Sequence, residues 1–143
     1  MIISVGADHG GFELKDKLAA MLREEGYEVI DNGTNSPDSV DYPDFAQAVA
    51  HDILEKRAEM GLLVCGSGIG ISIAANRFKG IRAALVTNPD YARLSRQHNN
   101  ANIIVFGGRF TAFEDAKEWL KIFLSTSFEG GRHERRIEKI DSI

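Results

Sequence analysis

The sequence predicts an α/β fold, built as a parallel sheet with helices on both faces. Two observations carry that expectation. Five short apolar or β-branched runs recur, at 2–6, 27–31, 62–66, 82–86 and 103–107, and segments of helical periodicity lie between them. The central three residues of each run are almost purely apolar, as buried parallel strands should be. Strands that alternate with helices imply short, right-handed crossovers.

Each helix carries its own signals. Leu14, Leu18, Met21 and Leu22 stand at i, i+4, i+7 and i+8, and Gly26 follows as a stop. Pro43 opens the next helix, with Phe45, Val49 and Ile53 on one face and Gly61 at its end. Asn88-Pro89-Asp90 reads as an N-cap, a first-position proline and a first-turn acid. Thr111 and Glu114 form a capping box ahead of Ala116, Leu120, Phe123 and Leu124. The last helix is expected over 132–143. At about 100° per residue, Ile137, Ile140 and Ile143 define one face, with Glu134, Glu138 and Asp141 opposite. Only 36–41 and 125–131 read as longer loops, and no repeat is present.

Composition narrows the function classes. The 143 residues suit one domain spanning the chain, large enough to hold a core without staples. A net charge of −4 gives no reason to expect a nucleic-acid partner. A single cysteine, Cys65, cannot form an internal disulfide and fits a reducing cytoplasm. No apolar run approaches the roughly 20 residues of a membrane span, and Met1 through Gly6 lacks the basic start of a signal peptide.

In open α/β sheets, ligands sit beyond the carboxyl ends of the strands. The residues expected there are Asp8-His9-Gly10-Gly11, Asn32-Gly33-Thr34, Cys65-Gly66-Ser67-Gly68-Ile69-Gly70, Thr87-Asn88 and Gly107-Gly108-Arg109. The glycine run after the third strand can turn several backbone N–H groups toward an anion at a helix N-terminus. Its GxGxG spacing is not the dinucleotide GxGxxG, and no Gly-Lys-Ser/Thr follows to make a P-loop. A tight, closely packed turn would use the same glycines. Cys65 could equally be a small buried hydrophobe, but a thiol at a helix N-terminus is favoured as the thiolate. A thiolate beside an anion-binding nest can remove a proton α to a carbonyl while the nest holds the enediolate.

The histidines are spread along the sequence, and no cluster at metal-ligand spacing appears, so no metal is expected. His51 reads as a surface residue, and His98 and Asn99 as a helix end. Arg132 and Arg136 stand at i and i+4 beside Ile140 and are expected to point toward the protein. Two guanidinium forks so placed suit a phosphate, although a solvated mixed-charge helix would also carry them.

These segments together resemble the ribose/galactose-phosphate isomerase family. The likeness runs through Gly6-Ala7-Asp8-His9-Gly10-Gly11-Phe12-Glu13-Leu14-Lys15, Asp41-Tyr42-Pro43-Asp44, Cys65-Gly66-Ser67-Gly68-Ile69-Gly70-Ile71-Ser72-Ile73-Ala74-Ala75-Asn76, Gly80-Ile81-Arg82-Ala83-Ala84, Leu94-Ser95-Arg96-Gln97-His98-Asn99 and Glu129-Gly130-Gly131-Arg132-His133. It implies a three-layer α/β/α sandwich around a five-stranded parallel sheet, Rossmann-like, working without cofactor as a homodimer or tetramer. It implies interconversion of ribose 5-phosphate and ribulose 5-phosphate. Cys65 would shuttle the proton between C2 and C1, and Gly66, Ser67, Gly68, Ile69 and Gly70 would form the anion hole. His98 would open the furanose ring, with Asp8 nearby on the sugar and Tyr42 lining the pocket. His9, Arg109, Arg132 and Arg136 would hold substrate, chiefly its phosphate, and Asn99 would touch the sugar. Ser67 stands where threonine is frequent. Ile71 stands where one branch of the family has a glutamate base, which puts this chain with the cysteine branch.

Topology adds an expectation of its own. The helix that starts at Asn88 leaves the carboxyl edge of the sheet and runs back, so His98 should lie near the opposite edge, far from Cys65. If both serve one site, His98 must come from a second subunit. The alternatives at this stage are allose 6-phosphate or galactose 6-phosphate as substrate, or a non-catalytic phosphate-binding module or flavodoxin-like carrier on a similar fold.

Overall fold

The computed structural model describes residues 1–143. Strands β1 (Ile2–Ala7), β2 (Glu28–Asp31), β3 (Met60–Cys65), β4 (Ala83–Leu85) and β5 (Ile103–Gly107) form one parallel sheet in the order β2-β1-β3-β5-β4. Helices α1 (Phe12–Glu24), α4 (Pro89–Gln97) and α5 (Phe113–Ser125) cover one face; α2 (Tyr42–Leu54) and α3 (Ile69–Ala75) cover the other. A final helix, α6, spans Arg132–Asp141. The α/β/α layering follows from the strands themselves. Alternate residues of β3 serve opposite cores, Leu62 and Val64 under α1 and α5, and Leu63 and Cys65 under α2 and α3.

Two consequences of the strand order position the site. The first crossovers leave β1 in opposite directions, so the topological switch lies between β1 and β3, the crevice where such sheets bind ligands. β5 inserts beside β3, with Cys65 paired to Gly107, so the turns after both strands meet. The displaced β4 becomes an edge strand whose three residues are only half-buried, unlike the covered strand its apolar sequence suggests.

Several local expectations are corrected. α2 stops at Leu54, where Arg57 and Ala58 both donate to the Asp52 carbonyl and Lys56 turns the chain at φ 62°. Gly61 instead lies inside β3, where a Cβ would meet Val49 at 2.7 Å and Ile103 at 3.0 Å. At the start of α5 the capping residue is Ala112, with no side-chain bond, so Thr111 and Glu114 form no capping box. Asn88 does cap α4, its Oδ1 accepting from Tyr91 N–H at 2.9 Å. α6 packs through His133 and Ile137, while Ile140 and Ile143 are exposed. His51 is half-buried, its ring edge-on to Phe78.

Two polar networks tie the β2 side together. Lys15 is fully buried in α1, donating to Asp31 and Asn35. Asp52 is buried beneath β1, accepting from Ser4 and Asn32 on one oxygen and from Arg57 on the other. Together they fix the segment that leads from β2 to Tyr42.

Candidate active site

At the carboxyl end of β3, Cys65 is 4% exposed, and its Sγ accepts from the Gly68 N–H at 3.2 Å. That bond requires Gly68 at φ 79°, in the left-handed region, where a Cβ would also strike Leu85 and the backbone of Phe106. The N–H of Ile69 goes to Ser67 Oγ at 3.1 Å. The N–H groups of Gly66, Ser67 and Gly70 have no acceptor within the chain, so the loop retains donors for an anion.

Neighbouring turns close around this loop. Asp8 follows β1, is 7% exposed, and its Oδ1 accepts from Gly10 N–H at 2.9 Å. His9 Nδ1 accepts from Val40 N–H at 3.2 Å, which leaves Nε2 as the free edge of the ring. Gly108 and Arg109 donate their N–H groups to the carbonyls of Cys65 and Gly66. The Arg109 guanidinium lies over Gly66, where an added Cβ would sit 3.1 Å from Nη1. The Tyr42 ring lies over Gly70, 2.8 Å from the place a Cβ would take. A Cβ at Gly70 would strike the Tyr42 ring, and one at Gly66 would crowd the guanidinium. One chain therefore brings Asp8, His9, Tyr42, Cys65, the 66–70 loop and Arg109 together.

The remaining expected residues gather elsewhere. Arg82, just before β4, donates to the carbonyls of Asn99 and Asn100, which ties the end of α4 to the amino edge of the sheet. Cys65 stands four residues further along β3 than Gly61, which pairs with Ile103 at that edge. At about 3.3 Å per residue the two groups are separated by roughly 13 Å along the strands alone. His98 and Asn99 line an open depression of about 370 Å³, and none of the chain's cavities is lined by Cys65.

Beside His98 the structure adds two residues to which sequence reasoning assigned no role. The His133 ring stacks on His98 with centroids 4.2 Å apart and planes at 12°. Glu129 Oε1 lies 3.5 Å from His98 Nε2. The i, i+4 pair His133 and Ile137, which forms the buried edge of α6, was the available signal. Burial, reinforced by the charges of His98 and Arg132, pushes the His133 imidazole below its ordinary 6.5. Arg132 and Arg136 are exposed, with no carboxylate partner, and do not point into the protein as expected. The histidines are also less dispersed than their spacing suggests. His98, Glu129 and His133 bring donor atoms within 4.8 Å of one another, a set that could accept a metal ion. Arg132 and Arg136 oppose a cation there and favour an anion.

Comparison with known proteins decides the family. Residues 3–140 match the ribose/galactose isomerase family. The chain belongs to that family. Ribose-5-phosphate isomerase B of Escherichia coli is 48% identical, over 99% of this chain and 95% of the relative. The crystal structure of a ribose 5-phosphate isomerase from Thermotoga maritima is 55% identical and superposes with a TM-score of 0.98, covering 99% of this chain and 98% of that one. Ribose-5-phosphate isomerase B from Mycoplasma genitalium, solved with bound ribulose-5-phosphate, is 40% identical with a TM-score of 0.94, covering 99% and 94%. The five-stranded parallel sheet expected from the sequence is thus the isomerase family's fold, and no helix here is long and apolar enough to cross a membrane.

Proposed function

We propose that this isomerase-family chain interconverts ribose 5-phosphate and ribulose 5-phosphate through an enediolate, as one catalytic domain over residues 1–143. The observation that carries the reading is Cys65, held by the Gly68 N–H inside a glycine loop whose other donors are free. The thiolate removes the proton from C2 and returns it to C1, while the N–H groups of Gly66, Ser67 and Gly70 hold the charge on O1. Asp8 and the Ser67 hydroxyl flank the sugar oxygens, between which one hydroxyl proton passes from O2 to O1. This chemistry asks for a base and an anion hole, and no cofactor enters it. The names of the relatives from E. coli and T. maritima, and the ribulose-5-phosphate bound in the M. genitalium protein, support the five-carbon substrate.

His98, Asn99, Arg132 and Arg136 serve this reaction from a second subunit. Their separation from Cys65 within one chain, and the absence of a cavity lined by Cys65, support that arrangement. So does the half-exposed edge strand β4 with the exposed Ile140 and Tyr91 near it, an apolar surface that a homodimer would cover. In the assembled site the phosphate meets Arg132 and Arg136 from one subunit and His9 and Arg109 from the other, and His98 opens the ring. The cytoplasm is the proposed compartment, because the reaction needs Cys65 reduced.

The test is an assay of the purified protein on five- and six-carbon aldose phosphates, with and without a chelator. Turnover confined to allose or galactose 6-phosphate, or lost to the chelator and restored by a divalent ion, overturns the reading.

A further inference from the structure

His98 and Glu129 form a contact that the main chain supports. Glu129 does not reach His98 by chance of rotamer alone. Its main-chain N–H donates to the carbonyl of Gln97, the last residue of α4, at 3.1 Å, which pins residue 129 beside residue 98. From that anchor Oε1 lies 3.5 Å from Nε2, an ion-pair distance once the imidazole is protonated. His133 covers one face of the same ring, so His98 is held on an edge by a carboxylate and on a face by a second imidazole. No hydrogen bond of the chain engages either ring nitrogen of His98, and the Glu129 contact on Nε2 leaves Nδ1 clear. The charges of Arg132 and Arg136 act on the neighbouring His133 ring, and Glu129 acts against them.

We propose that Glu129 is a positioning residue for ring opening, its carboxylate beside Nε2 stabilising the imidazolium formed when Nδ1 accepts a proton from the sugar. The proposal rests on the reading of His98 as the ring-opening group. The proton on O1 of the furanose passes to Nδ1. The C1–O4 bond breaks as the C1=O1 double bond forms, and O4 takes the proton from Nδ1. One proton moves and nothing else is consumed. His133, pushed toward its neutral form, adds no second positive charge to the stack while His98 is protonated.

Glu129→Gln keeps the main-chain anchor and removes the charge. Two rates are read on it. One is turnover of ribose 5-phosphate, which is mostly cyclic. The other is exchange of solvent deuterium into C1 of ribulose 5-phosphate, which cannot close to a furanose because its O5 is esterified; that exchange needs Cys65 and no ring opening. Turnover of the ribose should fall about fivefold, the upper worth of a solvent-exposed ion pair, through kcat. KM and the exchange rate should stay within about twofold. Unchanged turnover, a loss carried by KM, or exchange falling in step with turnover each overturns the proposal. His98→Asn is measured alongside. If it also splits the two rates, ring opening by His98 stands and Glu129 is judged on its own; if it keeps full ribose turnover, the reading of His98 fails and this proposal with it.

Discussion

The imidazole of His98 lies flat against that of His133, centroids 4.2 Å apart, at the edge of the sheet away from Cys65. Burial disfavours a proton on His133, and a charge on the stacked His98 ring adds to that. The His133 imidazole is expected to titrate below 6.5 in the folded protein. Because the folded state then takes up fewer protons than the unfolded one, this group's contribution to stability falls as pH drops below 6.5 toward its folded value. NMR titration of the histidine ring protons checks the direction. Arg132→Ala removes a repelling charge and should move the midpoint up. A wild-type midpoint above 6.5 would show that the stack does not protect the neutral ring.

Cys65→Ala tests the base. A positioned general base contributes typically 10²–10⁴-fold, so turnover should fall by at least about a hundredfold. Substrate binding, measured by calorimetry with ribulose 5-phosphate, should survive, since the loop donors and arginines remain. Near-normal turnover would return Cys65 to the role of a small core residue.

Arg132→Ala should do the reverse. The guanidinium is exposed and unpaired in the chain, so its removal leaves the fold alone. Losing a charge-assisted contact to phosphate should raise KM by roughly ten- to 150-fold, with a smaller effect on kcat. A loss confined to kcat would remove Arg132 from the phosphate site.

What the sequence made legible divides along the same line as the two clusters. The carboxyl-edge group was readable because strand ends and glycines are local signals: Asp8, Cys65, Gly68 and Arg109 all lie within a few residues of a strand's carboxyl end. The buried edge of α6 was not, since a helix with Ile137, Ile140 and Ile143 at helical spacing suggests an apolar face, while tertiary packing buries His133 and leaves Ile140 exposed. The pairing of Glu129 with His98 escaped notice for a related reason. The partner of Glu129 lies 31 positions earlier, and tertiary bonds such as those from the Glu129 N–H to Gln97 and from Arg96 to the Thr126 carbonyl bring the two together. The strand order, with β5 between β3 and β4, likewise depends on pairing that no local pattern encodes.

The Asp52 network gives a stability prediction. Burial alone would raise this carboxyl, but donors on Asn32, Ser4 and Arg57 outweigh it and hold the group below its ordinary 3.8. A depressed carboxyl contributes stability above the unfolded value of 3.8, which is lost as pH falls through the lower folded one. Asp52→Ala should cost about 1.5–3 kcal/mol at neutral pH, the range for hydrogen bonds to a charged group. Urea unfolding at neutral and acid pH checks both, and the variant should lose this part of the acid sensitivity. An unchanged midpoint at neutral pH would mean that Ser4 and Asn32 satisfy one another without it.

The shared site is tested by complementation. Cys65 follows a strand to the carboxyl edge of the sheet, and His98 ends a helix that has run back to the amino edge. Homodimers of Cys65→Ala should be inactive, and homodimers of His98→Asn should fail on the cyclic sugar. Co-expression of the two makes heterodimers with unequal sites. One site collects both lesions, while the other sets an intact Cys65 from one subunit against an intact His98 from its partner. With random pairing, half of the dimers are mixed and each holds one good site of two, so about a quarter of wild-type turnover should reappear. If both residues acted within a single chain, every site would carry one lesion and no activity would return. Purifying the mixed dimer through two different tags separates this outcome from poor pairing. A verified heterodimer without activity would refute the shared site, and the roughly 13 Å between the strand levels would then have to be closed by movement within one subunit.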